Sequence, residues 1–175
     1  PSWHKIQDNK AINLILDPGL AFGTGTHATT HLCLIWLLKN VNKNVTVLDY
    51  GCGSGILGIA AKKIGAQKVF GVDIDDQAIK SSRENAEINN VEIIWNNIEN
   101  RINYKTDLVV ANILSSALTI LAPILAEHCN NKGKIALSGI LESQEKDIKK
   151  IYSKWFDFNP SSIKDGWVLI SGTKR

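Results

Sequence analysis

The sequence contains no methionine, three cysteines, four prolines and, among 20 basic residues, only three arginines, Arg83, Arg101 and Arg175. Because translation begins at Met, a chain that opens on Pro1 reads as processed or trimmed. Cys33, Cys52 and Cys129 are odd in number, widely spaced and form no Cys-x-x-Cys pair. That excludes a disulfide framework and a zinc knuckle and leads us to expect a reducing, cytoplasmic setting. Long apolar runs are also lacking. The stretch from Ile113 to Ala126 is interrupted by Ser and Pro short of the ~20 residues that span a bilayer, and no secretory leader opens the chain, so no membrane partner is expected. Nor is there a block of one charge: the formal balance is +3, with 17 acidic residues, and no run resembles a nucleic-acid-binding tail.

What is present is the material of one domain. At 175 residues and 44% hydrophobic the chain is long enough to bury a core without a metal or disulfide staple, and a monomer is expected. Strand-length apolar runs alternate with helix-length amphipathic ones, the pattern of parallel strands joined by crossover helices. The spacing predicts an opening strand at Ile12–Leu16, then strands at Val45–Tyr50, Lys68–Asp73, Glu92–Trp95, Asp107–Asn112 and Lys134–Gly139. Helices are predicted at Thr29–Lys39, Gly55–Ile64, Asp76–Ile88, Leu114–Cys129 (kinked or starting late at Pro123) and Glu142–Lys154. Phe156–Ser162 and Trp167–Gly172, joined by Lys164-Asp165-Gly166, read as a terminal antiparallel pair. The fold class is α/β: a mostly parallel sheet closed by a C-terminal hairpin.

Three segments carry chemistry. In Val47-Leu48-Asp49-Tyr50-Gly51-Cys52-Gly53-Ser54-Gly55 a buried strand runs into alternate glycines and then a helix, so backbone can approach a ligand where no Cβ intervenes. Asp73 ends the next strand, placed to accept both hydroxyl hydrogens of a ribose. Gly53, Gly55 and Gly58 formally match the dinucleotide fingerprint, with Asp73 at the expected distance, so an NAD-dependent oxidoreductase is a legitimate reading. Asp49 argues the other way, since a carboxylate there repels pyrophosphate and welcomes a cation such as S-adenosylmethionine. A scaffold that binds a cofactor without catalysis also stays open.

The second segment, Leu16 to Thr30, has too many glycines and hydroxyls for an ordinary connection; a loop ending in a Thr-capped helix would explain one threonine but not Phe22, Gly23 and Gly25 together, so it reads as a mobile lid over a ligand. His27 and His31 have metal-ligand spacing, but Ala28 lacks the carboxylate of the zinc motif, so no metal is expected. The third segment ends a strand on Asn112, whose amide oxygen can accept from an amine; the alternative is a cap for the following helix, a role Ser115 or Ser116 could also fill.

Taken together, LDPGLAFGTGTHATT, VLDYGCGSGILGIAA, GVDIDDQAIKSSRENAEIN and VVANIL resemble the PrmA family of bacterial methyltransferases of large-subunit ribosomal protein L11, from about Ile12 to the C-terminus. The glycine turn alone is shared by many methyltransferases; the upstream GTGTH stretch and the Asn-Ile-Leu strand end are more specific. The resemblance implies a class I, Rossmann-like fold that uses S-adenosylmethionine to methylate lysine side chains or the N-terminus of that protein. By position it implies cofactor contacts from Thr30, Gly51, Gly53, Asp73 and Asn112, with Asn112 beside the transferred methyl. Ala28 and Tyr50 depart from the family's common Pro and Phe. It implies residues 12–175 as the methyltransferase domain and residues 1–11 as the remnant of a linker to an N-terminal substrate-recognition domain, which nothing here matches.

Overall fold

A computed structural model describes residues 11–17, 25–99 and 103–175. Its elements, in chain order, are α1 (Ala28–Asn40), β1 (Thr46–Tyr50), α2 (Ile56–Ile64), β2 (Lys68–Asp73), α3 (Asp76–Ile88), β3 (Ile94–Asn97), β4 (Thr106–Asn112), α4 (Ser115–His128), β5 (Cys129–Leu141), a 3₁₀ turn (Glu142–Gln144), α5 (Glu145–Tyr152), β6 (Phe156–Phe158), β7 (Ser162–Lys164) and β8 (Trp167–Lys174). The expected α/β fold is present. One eight-stranded sheet has the order β3-β2-β1-β4-β5-β8-β6, with β7 also on β8. Strands β1 to β5 are parallel, and β8 runs antiparallel to β5, β6 and β7.

The central strands are apolar on both faces, as a doubly covered parallel sheet requires. Leu48, Tyr50, Val109 and Ala111 pack under Leu118, Leu125 and Tyr152 of α4 and α5. On the other face Val47, Leu108 and Val110 meet Leu37 of α1 and Leu57 and Ala61 of α2. Trp95 fills the space beside α3: a Cβ on Gly71 would overlap its ring, and one on Gly55 would come within 2.9 Å of it. Strand order reverses between β1 and β4, and ligands in such sheets lie beyond the carboxyl ends at that reversal.

Five expectations are corrected. Residues 12–16 form no strand, because the backbone here bonds to side chains of α3 and its C-cap: Ile15 N–H donates to Asn89 Oδ1 at 3.0 Å, and Asp17 N–H to Asn85 Oδ1 at 3.1 Å. β3 starts two residues later than the apolar run suggested. α4 runs unbroken through Pro123, since Thr119, whose carbonyl the proline leaves unpaired, faces solvent. The charged helix splits into the 3₁₀ turn and α5, ending at Tyr152. The last strand pair is three strands, because Pro160 offers no N–H to β8 and divides β6 from β7. Residues 1–10 of the proposed linker remnant (1–11), and the glycine-rich core of the proposed lid, residues 18–24, lie outside the described residues.

Candidate functional site

At the reversal point the backbone folds as alternate glycines allow. Gly51, Gly53 and Gly55 have φ of 75°, 54° and 81°, a region that costs other residues strain. The amides of Gly51 and Cys52 both donate to Val72 O, at 2.8 and 3.0 Å, which ties the loop to the end of β2. Gly53 N–H donates to Asp73 Oδ2 at 2.9 Å, and Asp75 N–H to Asp73 Oδ1 at 3.1 Å. Asp73 is therefore aimed at the loop with its carboxylate already oriented. Ile74, next to it, is 74% exposed.

Two side chains that the sequence analysis passed over hold the loop from outside. Ser82 Oγ donates to Gly53 O at 2.8 Å, and Asn85 Nδ2 to Ser54 O at 3.0 Å. Both are buried polar residues on the inward face of an otherwise charged helix, and that misplacement is the signal that could have revealed them.

Asp49 does not stand open beside the first glycine. It is 1% exposed, and its Oδ2 accepts from Gly58 N–H at 2.8 Å, in the first turn of α2. Burial pushes its pKa up to about 7, the Gly58 hydrogen bond pulling down and the Asp73 charge adding upward. The Cys52 thiol is pushed up by burial and then by the Asp49 charge, so it stays protonated and is no nucleophile.

Thr30, 3% exposed in the first turn of α1, and Asn112, at the end of β4, meet across the site: Asn112 Nδ2 lies 3.5 Å from Thr30 Oγ1. Asn112 does not cap α4, whose N-cap position is Leu114 with no side-chain bond. The cap of α1 is likewise not a threonine. His27 fills it, accepting from Thr29 N–H at 3.3 Å through Nδ1. Among the described residues no group of three His, Cys, Asp or Glu side chains is placed to hold a metal, and no helix is long and apolar enough to cross a membrane. Thr30, Gly51, Gly53, Asp73 and Asn112, far apart in sequence, thus gather at one sheet edge, while Asp49 lies beneath it.

The arrangement has relatives. The family described as "Ribosomal protein L11 methyltransferase (PrmA)" matches residues 1–175. The ribosomal protein L11 methyltransferase of Methylobacillus flagellatus is 53% identical over 100% of this chain and 59% of that protein. That of Dechloromonas aromatica is 51% identical over 99% of this chain, again 59% of the relative. The chain thus spans about three fifths of the length of these relatives. Among solved structures, ribosomal protein L11 methylase from Lactobacillus delbrueckii subsp. bulgaricus superposes with a TM-score of 0.89 at 34% identity, covering 100% of this chain and 93% of the other. A methyltransferase from Pyrococcus furiosus, 18% identical with a TM-score of 0.74, covers 92% of this chain and 89% of its own and speaks to the fold alone.

Proposed function

The chain belongs to the ribosomal protein L11 methyltransferase (PrmA) family, and on that footing we propose that residues 12–175 form an S-adenosylmethionine-binding domain that transfers methyl groups to amines of ribosomal protein L11. The observation that carries the reading is the pair of carboxylates around the glycine loop. Asp73, fixed by the Gly53 and Asp75 amides, keeps the geometry to accept two ribose hydroxyls, and exposed Ile74 offers an apolar surface for a purine base. Asp49 occupies an amide in the first turn of α2, the turn where a dinucleotide would seat its pyrophosphate. With its pKa raised to about 7, the buried Asp49 carries its charge when ionised; in that form it disfavours a phosphate and favours a ligand carrying an ammonium and a sulfonium.

When bound, S-adenosylmethionine supplies a methyl group already activated on sulfur. The chain's own residues then have to position and to exclude water. Gly51 and Gly53 bring backbone within reach of the methionine portion. Thr30 and Asn112 close the side facing the incoming amine, and the Asn112 amide oxygen accepts from the amine and aims its lone pair along the transfer axis. A lysine amine, with a pKa of ~10.4, must first lose a proton, and water takes it in this reading. Three unpaired buried cysteines fit a cytoplasmic enzyme.

Calorimetric titration with S-adenosylmethionine and with its product S-adenosylhomocysteine tests the reading. Both should bind, and Asp73→Ala, which removes two charge-assisted bonds at roughly 1.5–3 kcal/mol each, should weaken them by about 100-fold or more. NAD should give no heat. No binding of either sulfur ligand would sink the proposal. Mass spectrometry of ribosomal protein L11 incubated with enzyme and cofactor separates a catalyst from a scaffold that only binds.

A further inference from the structure

The C-terminal hairpin of β7 and β8 belongs to none of the motifs, yet it touches the helix that carries Thr30. Trp167 opens β8, in register with Leu141 of β5 on one side and Lys164 of β7 on the other, so its backbone is held from both edges. Its indole meets the His27 imidazole edge to face, with ring centroids 5.0 Å apart and planes at 71°. The same imidazole caps α1: Nδ1 lies 3.3 Å from the Thr29 amide and 2.8 Å from Thr29 Oγ1, and the His27 carbonyl accepts from His31 N–H at 3.1 Å. One residue on, Thr30 Oγ1 lies 3.5 Å from Asn112 Nδ2.

We propose that Trp167 is a positioning residue for the cofactor site: by seating the His27 ring it fixes the first turn of α1, and with it the Thr30 hydroxyl beside Asn112. The proposal rests on the methyltransferase reading, in which Thr30 and Asn112 contact the cofactor. Both Nδ1 contacts of the capping imidazole go to Thr29 and hold one corner of the ring, leaving the rest of it freedom to tilt, and the backbone two residues upstream bends through Gly25 at φ 86°. Contact with an indole anchored in the sheet removes that freedom. The antiparallel hairpin is thereby tied to a residue of the cofactor cleft more than a hundred positions away in sequence.

Four variants test this by calorimetry with S-adenosylhomocysteine: Trp167→Ala, Trp167→Phe, His27→Asn and the double variant His27→Asn with Trp167→Ala. Asn keeps the cap but loses the ring. Trp167→Ala and His27→Asn should each weaken binding roughly three- to tenfold, the size of an aromatic pair. Trp167→Phe should stay within about twofold of the parent, because a ring edge is retained. The double variant should be no weaker than either single one, as expected for one shared contact. Binding by His27→Asn equal to the parent, or single losses that add in the double, overturns the proposal. So does a Trp167→Ala loss that Trp167→Phe does not rescue. If the parent binds neither S-adenosylmethionine nor its product, the methyltransferase reading falls instead. The coupling is then judged by amide hydrogen exchange over residues 28–31, which Trp167→Ala should speed roughly three- to tenfold; an unchanged rate overturns it.

Discussion

The two edges of the sheet are built from the same strands and helices and are opposite in almost every chemical respect. At the carboxyl edge, where helices begin, lie Gly51, Gly53, Gly55 and Gly139 with positive φ, Asp73, Asp75 and Asp76 after β2, and Glu142 after β5. At the amino edge, where helices end, lysines close off carbonyls. Lys62 Nζ donates to Gln67 O at 2.9 Å, and Lys174 Nζ to Ala126 O at 2.7 Å and to Cys129 O at 2.8 Å. The helix macrodipole favours acids in first turns and bases in last turns, as at Asp76 opening α3 and at Lys62 and Lys63 closing α2. A chain with a net charge of only +3 is therefore polarised along its strands. One edge is closed by its own side chains, while the other keeps backbone and carboxylates within reach of a ligand.

The largest effect expected from breaking that division is at Gly139, with φ 84° at the carboxyl edge, where an added Cβ would overlap the Ile113 carbonyl. Gly139→Ala should cost about 3 kcal/mol or more in urea unfolding, because backbone cannot yield cheaply. Gly65 ends α2 at the amino edge with φ 121° and open space around its Cβ position. There Ala should meet only the conformational penalty, about 1 kcal/mol. Equal losses at the two positions would mean that the close approach of Ile113 to β5 is not what demands Gly139.

Next in size is Lys174→Ala. It removes two charge-assisted bonds from carbonyls at the end of α4, for an expected loss of about 2 kcal/mol. Affinity for S-adenosylmethionine should be unchanged. A calorimetric loss of affinity parallel to the loss of stability would show that the edges are not independent.

Asp49 lies buried just beneath the carboxyl edge and gives it a titration. Its pKa is raised in the folded state to about 7, so its favourable contribution is present below the unfolded value and is lost as pH rises through about 7. Asp49→Asn keeps an acceptor for Gly58 N–H and removes the charge. Relative to the parent it should gain stability progressively from about pH 4, where the unfolded carboxyl begins to ionise, up to about pH 7, and level off above it, as read by thermal unfolding from pH 4 to pH 8. A constant difference would mean that the carboxyl is not the titrating group.

Much of this was legible in the sequence. Apolar runs and helix periods located β1, β2, β4 and the intervening helices, because a doubly covered parallel sheet writes each strand as a continuous apolar run. The glycine turn, Asp73 and Asn112 stood out because each ends a strand at the same edge. What stayed hidden depends on contacts distant in sequence. Nothing local says that Asn89 and Asn85 will take the backbone bonds of Ile15 and Asp17 and so deny that segment a strand. Nothing near His27 announces Trp167. Asp49 stands out by its place before the first glycine, but its burial under α2 is set by Gly58, whose lack of a side chain lets the helix amide descend on it.

The smallest expected effect concerns two tyrosines in the same core cluster on one face of the sheet. Tyr152 Oη donates to Leu118 O at 2.8 Å. Tyr50 Oη, 3% exposed as a residue, has no hydrogen-bond partner among the described residues. A buried hydroxyl of the first kind contributes about 1 kcal/mol, whereas one of the second kind carries an unreturned desolvation cost. Tyr152→Phe should therefore lose about 1 kcal/mol, and Tyr50→Phe should be neutral or gain up to about 1 kcal/mol, in paired urea titrations. Phe at position 50 is also the residue that the family resemblance makes common, in keeping with a ring that packs and a hydroxyl that does not contribute. If Tyr50→Phe instead costs as much as Tyr152→Phe, the phenol has a partner outside the described residues. Tyr50 directly precedes Gly51, so a loss of S-adenosylmethionine affinity in the same variant would then count its hydroxyl as part of the site.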